Sequence, residues 1–195
     1  FSGTSGSLGG DPRLPSNWIA DFRRLYDFRE AGRNDLRPIV GGRNKANVAR
    51  RIDTLLTDVL GFLRDGSIGG PEPKAIRRNL AFRNLTRAHM LKLATGQQMV
   101  ALMRARGVTL TALTPKQILE GNRGASLAGL NPPQRAAVVK DTPLWFYTLR
   151  EAEFNAGRLA AVGGRLVAET FHRAIEGSEH SILADPTWRP TLGPD

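Results

Sequence analysis

Apolar residues return at every third or fourth position in one stretch after another of this chain, and each stretch is fenced by glycine or proline. A period near 3.6 gathers such residues on one face of a helix, whereas a half-buried strand needs strict alternation. The longest run, Val48, Ile52, Leu55, Leu56, Val59, Leu60 and Leu63, predicts an amphipathic helix over Val48–Leu63, broken by Gly66–Pro73. Upstream, Ser16 is placed to cap a helix that carries Trp18, Phe22, Leu25 and Tyr26 on one side and ends by Gly32. Ala75–Leu91 reads as a further helix. No alternating pattern of useful length occurs. The expected fold is therefore all-α, with about six or seven helices and long loops.

Punctuation supports the downstream half. Thr95-x-x-Gln98 and Thr114-x-x-Gln117 have the form of capping boxes, in which the threonine hydroxyl takes an orphan N–H and the glutamine reaches back to the cap. The first opens a helix through Met99, Val100, Leu102 and Met103 that stops at Gly107. The second, with Pro115 at its first helical position, ends by Gly121. Asn122–Gln134 is rich in Gly, Pro and Asn and reads as loop. Asp141–Pro143 starts a helix bearing Leu144, Trp145, Phe146, Tyr147 and Leu149, and Leu159–Ile175 forms the last long one before Gly177. The tail over Asp185–Pro190 is a loop that Trp188 can pin. Residues 1–12, opened by the Gly/Ser-rich Phe1–Gly10, read as flexible loop, and 13–195 as one helical region.

Composition narrows the chemistry. The chain has no cysteine, which excludes a disulfide framework, thiolate catalysis and Cys-ligated metal sites. No apolar run approaches the ~18 residues of a membrane-spanning helix, so no membrane span is expected. Of 28 basic residues 23 are arginine, and the formal net charge is +10. Arginine offers a permanently charged planar fork that suits carboxylates and phosphates. Such an excess fits an anionic partner, and it equally fits a solvated surface.

Self-contained catalytic sets are missing. The histidines are His89, His172 and His180, and no two stand at metal-ligand spacing with a carboxylate between them. His172 has Glu169 and Glu176 at i−3 and i+4, the pattern of an ion-pairing surface. His180 follows Gly177 and reads as exposed loop. Glu151 and Glu153 diverge on a helix, so they do not form an acid/base pair. Gly163-Gly164 matches no phosphate loop and reads as a place where two helices approach closely.

The informative segment is 80–91, LAFRNLTRAHML. On a helix Leu80, Asn84, Arg87 and Leu91 share one face, with Arg83 at its edge. An amide and one or two guanidinium groups thus interrupt an apolar stripe. Burial without partners would cost about 1–3 kcal/mol for the amide and more for the charge. The stripe meets either an anionic, polar group within an apolar setting, or partners from the chain itself, such as Glu151 for Arg87 and a backbone group for Asn84.

Residues 79–87 (NLAFRNLTR) resemble the LxxxNxxR helix of animal-type haem peroxidases, the peroxidase–cyclooxygenase superfamily, and in particular its bacterial members. Residues 13–28 (RLPSNWIADFRRLYDF), 142–153 (TPLWFYTLREAE), 157–169 (GRLAAVGGRLVAE) and 184–190 (ADPTWRP) are similar to it in order and spacing. The resemblance implies a mostly helical enzyme that holds haem, or a modified haem, reduces hydrogen peroxide and oxidises a second, reducing substrate. It implies that Asn84 accepts a hydrogen bond from the axial histidine and that Arg87 binds a haem propionate, with Leu80 and Arg83 beside them. The axial histidine, the distal histidine and the distal arginine of that family have no counterpart in this chain. They are expected upstream of Phe1, as is any calcium site. None of His89, His172 and His180 matches an iron ligand, so no metal ligand is expected here. The chain is thereby expected to be the C-terminal part of a single peroxidase domain, active only with an N-terminal chain or segment.

Two other readings compete. A haem-dependent fatty-acid dioxygenase of the same superfamily shares the proximal arrangement but needs a tyrosine poised to form a radical, and the two tyrosines, Tyr26 and Tyr147, lie in no such context. A basic helical module that binds nucleic acid would need a stripe of cations. Arg77, Arg78, Arg83 and Arg87 instead spread around their helix, so no nucleic-acid partner is expected.

Overall fold

The computed structural model describes residues 23, 28–37, 51–63, 74–185 and 187. The described residues are mostly helical and hold no strand, in keeping with the all-α expectation; a lone bridge joins Thr95 and Pro143. Six helices of six or more residues are present, α2 (Leu80–Met90), α3 (Gly96–Ala105), α4 (Pro115–Glu120), α5 (Pro132–Lys140), α6 (Leu144–Phe154) and α7 (Ala161–Glu176), preceded by the single turn α1 (Asp58–Gly61). None of them is long and apolar enough to cross a membrane. The chain divides into two compact units, 1–51 with 56–87 and 52–55 with 88–195, and α2 runs across the division.

In the first unit a 3-10 turn, Phe28–Ala31, is closed by Gly32 at φ +81°, where the sequence places a stop. The predicted helix upstream of it, with Trp18, Phe22, Leu25 and Tyr26, lies outside the described residues, as do the 1–12 loop and Trp188. Of the helix expected over Val48–Leu63, residues 51–57 carry no regular structure, with a bend at Thr54, and among the described residues only Asp58–Gly61 is helical. Leu63 and Arg78 are tied twice, Leu63 N–H to the Arg78 carbonyl (2.9 Å) and Arg78 Nε to the Leu63 carbonyl (2.8 Å), and the Arg78 guanidinium lies over the Phe62 ring. The helix expected over Ala75–Leu91 is interrupted. Ala75–Arg78 is a 3-10 turn, Asn79 is extended, and its Oδ1 accepts the Phe82 N–H (3.0 Å), so Asn79 caps a fresh helix.

The second unit holds a small core of Val100 and Met103 from α3, Ile118 from α4, Tyr147 from α6 and Val162 from α7. Helix α6 lies among α3, α4 and α7. Both predicted capping boxes are formed, at Thr95/Gln98 and Thr114/Gln117. A third, Asn131/Gln134, opens α5 inside the stretch expected to be loop, with Pro132 and Pro133 filling the first turn, where no N–H is needed. Close approach fixes two glycines. A Cβ at Gly96 would overlap the Tyr147 ring, and one at Gly163 would crowd the Thr148 Cβ at 2.9 Å, so Gly163-Gly164 serves packing as the sequence suggests.

Candidate functional site

Helix α2 orders the expected site residues along one stripe. Leu80, Ala81, Asn84, Leu85 and Ala88 are half-buried, at i, i+1, i+4, i+5 and i+8. Asn84 thus sits in the covered stripe with Leu80, one turn apart. Arg83 and Arg87 lie exposed at its margin, also one turn apart. Leu91 falls beyond the helix end and is exposed. Among the described residues the Asn84 amide has no hydrogen-bond partner, and neither Arg83 nor Arg87 has a carboxylate. The structure brings Leu80, Asn84, Arg83 and Arg87 to one side of α2, as the helical wheel requires.

The chain-internal alternative for Arg87 is not realised at Glu151. Both oxygens of that buried carboxylate accept N–H groups at the start of α7, from Val162 (3.3 Å) and Gly163 (3.0 Å). Burial pushes the Glu151 carboxyl above the usual carboxylate range, and the two N–H groups offset part of the rise. An acid at a helix N-terminus is favoured by the helix dipole. Its role is to join α6 to α7.

A second polar constellation lies within unit 2 and was not visible in the sequence. Arg150 and Glu153 on α6 have fully buried side chains and pair at 2.8 Å. Arg150 Nη2 donates to the Ala125 carbonyl (2.7 Å), and its guanidinium lies 4.8 Å from the Phe146 ring centre. Glu153 accepts the Asn122 N–H (2.8 Å), the Thr54 N–H (3.1 Å) and the Thr54 hydroxyl. Burial alone drives its carboxyl up, yet these donors and Arg150 together hold it below the usual range. A Cβ at Gly121 would strike Arg150, and one at Gly124 would strike Glu153. Arg150 Nε is buried without a partner among the described residues. The cluster clamps residues 52–55 and the 121–125 loop to α6. Both charged side chains are fully buried, so the pair offers no open face to a substrate.

The remaining candidates are surface groups. His89, His172 and His180 are all exposed. His172 lies in a shallow depression with Glu169, Arg173 and Glu176, but the two carboxylates pair with Arg165 (2.8 Å) and Arg173 (3.3 Å). No group of three or more His, Cys, Asp or Glu capable of holding a metal ion occurs among the described residues. Tyr147 is 1% exposed, and its hydroxyl accepts the Leu113 N–H (2.9 Å), so it is a core tyrosine. No family model, curated protein or solved structure matches the chain.

Proposed function

We propose that this chain is the C-terminal portion of a haem peroxidase, in which α2 supports the axial imidazole through Asn84 and receives a haem propionate on Arg87. One observation carries the reading. An amide in a half-buried apolar stripe, and two arginines at its margin, have no partner among the described residues. The donor set fits the group. A carboxamide oxygen can accept an imidazole N–H and fix its tautomer and direction without adding a full charge. A guanidinium fork matches a carboxylate. Leu80 supplies the apolar neighbour, and Arg83 a second cation on the same margin. When bound, the haem supplies the iron at which peroxide is reduced. This chain's part is to orient the ligand and neutralise the propionate, and the axial histidine, distal histidine and distal arginine come from an N-terminal partner.

The test is made on the gene product that includes the upstream residues. Haem retention and the Soret position are followed during titration, together with peroxide-dependent oxidation of a chromogenic donor. Asn84→Leu is expected to weaken haem binding by about 10–100-fold and to shift the Soret band and potential. An unchanged spectrum, affinity and turnover would remove the assignment. Oxygen uptake with an unsaturated fatty acid, in the absence of peroxide, would favour dioxygenase chemistry instead. Tyr147, committed to the core, lends that reading no radical site.

A further inference from the structure

The C-terminal half of α7 carries an apolar stripe that nothing among the described residues covers. Burial on this helix is confined to its first turns, at Val162 and Gly163 with Leu166 half-buried, and every residue from Val167 to Glu176 is exposed. Val167 (40% exposed), Phe171 (65%) and Ile175 (40%) stand at i, i+4 and i+8. With Ala168 and Ala174 at its margins, the stripe spans about 120° of the helix and contains no charge. The charged residues of this half point elsewhere and are already engaged, in the Arg165–Glu169 and Arg173–Glu176 pairs. A contiguous exposed apolar stripe of this kind is a surface that a partner can cover.

Its order of residues says what the surface fits. The segment 167–175, VAETFHRAI, is a palindrome in size about Phe171, with Val167 mirrored by Ile175 and Ala168 by Ala174. A two-fold interface must be self-complementary, each patch meeting its own image. We infer that the chain self-associates through this stripe, as an antiparallel helix pair whose two-fold axis passes at Phe171. Helical geometry then sets large against small on both sides of the axis. Val167 lies beside the partner's Ala174, and Ile175 beside the partner's Ala168. The two Phe171 rings meet at the centre, where an offset or edge-to-face arrangement is favoured. Antiparallel helix dipoles also attract. A contact of two to three turns falls short of the ~800 Å² per partner of a standard interface, so the dimer is weak and dissociates on dilution. The inference uses no residue of α2 and none of the groups assigned to haem.

The absence of cysteine makes a direct test available. Helix axes ~8–10 Å apart, less two Cα radii of ~2.3 Å, leave roughly 5 Å between residues on the axis, within disulfide reach. Phe171→Cys in the full chain is therefore expected to form a covalent dimer rapidly on mild oxidation. Glu169→Cys, on the far side of α7, is expected to stay monomeric under the same conditions. Sedimentation equilibrium of the unmodified chain over a broad dilution series should show a reversible dimer that Phe171→Asp abolishes. A monomer at every concentration, a dimer that survives Phe171→Asp, or equal cross-linking by the two cysteine variants would overturn the inference.

Discussion

Arg150 and Glu153, one turn apart on α6, form a 2.8 Å ion pair from which solvent is excluded on both sides. Most intrahelical pairs sit at the surface and contribute a few tenths of a kcal/mol. This one differs because α6 contributes only the two charges, while the donors and acceptors that complete them come from Thr54, Asn122 and Ala125. A buried pair is costly to break, since the survivor is left as an uncompensated charge.

Glu153→Gln is accordingly expected to destabilise the chain by about 3–5 kcal/mol, read from the urea midpoint. The pH dependence has a fixed sign. The folded-state carboxyl of Glu153 lies below its unfolded value, so its stabilisation is complete above the ordinary range near pH ~4.3 and is withdrawn as the pH falls through the lower folded value. Glu153→Gln should flatten this acid limb. A variant that loses no stability at pH 7, or keeps the full acid dependence, would show that the pair has no such role.

Tyr147→Phe should cost about 1–3 kcal/mol, because the Leu113 N–H, half-buried beside a buried ring, loses its acceptor. Gly96→Ala should cost at least as much, since its methyl group has no room beside the same ring. Thermal unfolding of both variants checks the two expectations.

Asn131→Ala tests the short α5. The loss of its box with Gln134 is expected to cost about 1 kcal/mol and to fray the helix start, seen as faster amide exchange at Gln134 and Arg135. Asn131→Ser should retain most of the stability.

Asn84→Leu separates fold from function. In the chain alone an amide without a partner is replaced by a side chain that buries well, so stability should rise by about 1 kcal/mol. Haem affinity in the complete protein should fall, as proposed above. A loss of stability instead would mean that Asn84 holds the fold.

Local chemistry carried much of this architecture into the sequence. Thr95 and Thr114 cap helices where their boxes lie, and Gly32 and Gly177 close turns where they were placed. Asn131–Gln134 is the same box in another spelling, hidden by the Gly, Pro and Asn around it. The break at Asn79 is local, a cap on Phe82 N–H, whereas the missing helix at 52–56 has a long-range cause. Ile52, Leu55 and Leu56 have helical spacing, but Ile52 N–H goes to the Gly157 carbonyl and Thr54 to Glu153, and these distant partners outweigh propensity. The α2 stripe was legible from its period for Leu80 and Asn84, but Arg87, expected within it, lies exposed at its margin, and Leu91 falls beyond the helix end. The Arg150 clamp was not legible, because its partners are scattered along the chain and no spacing links them.

The clamp also bears on the order in which the chain folds. Thr54 and Glu153 are 99 residues apart, whereas the capping boxes close within three. Joining ends so distant carries a large loop-closure entropy, which contacts of short range avoid. The clamp should therefore form late, after the helices of the second unit have packed. Interactions made after the transition state leave the folding rate almost unchanged and set the rate of escape. The buried pair on α6 thus acts less as a nucleus than as a catch, lengthening the lifetime of the native state once it has been reached.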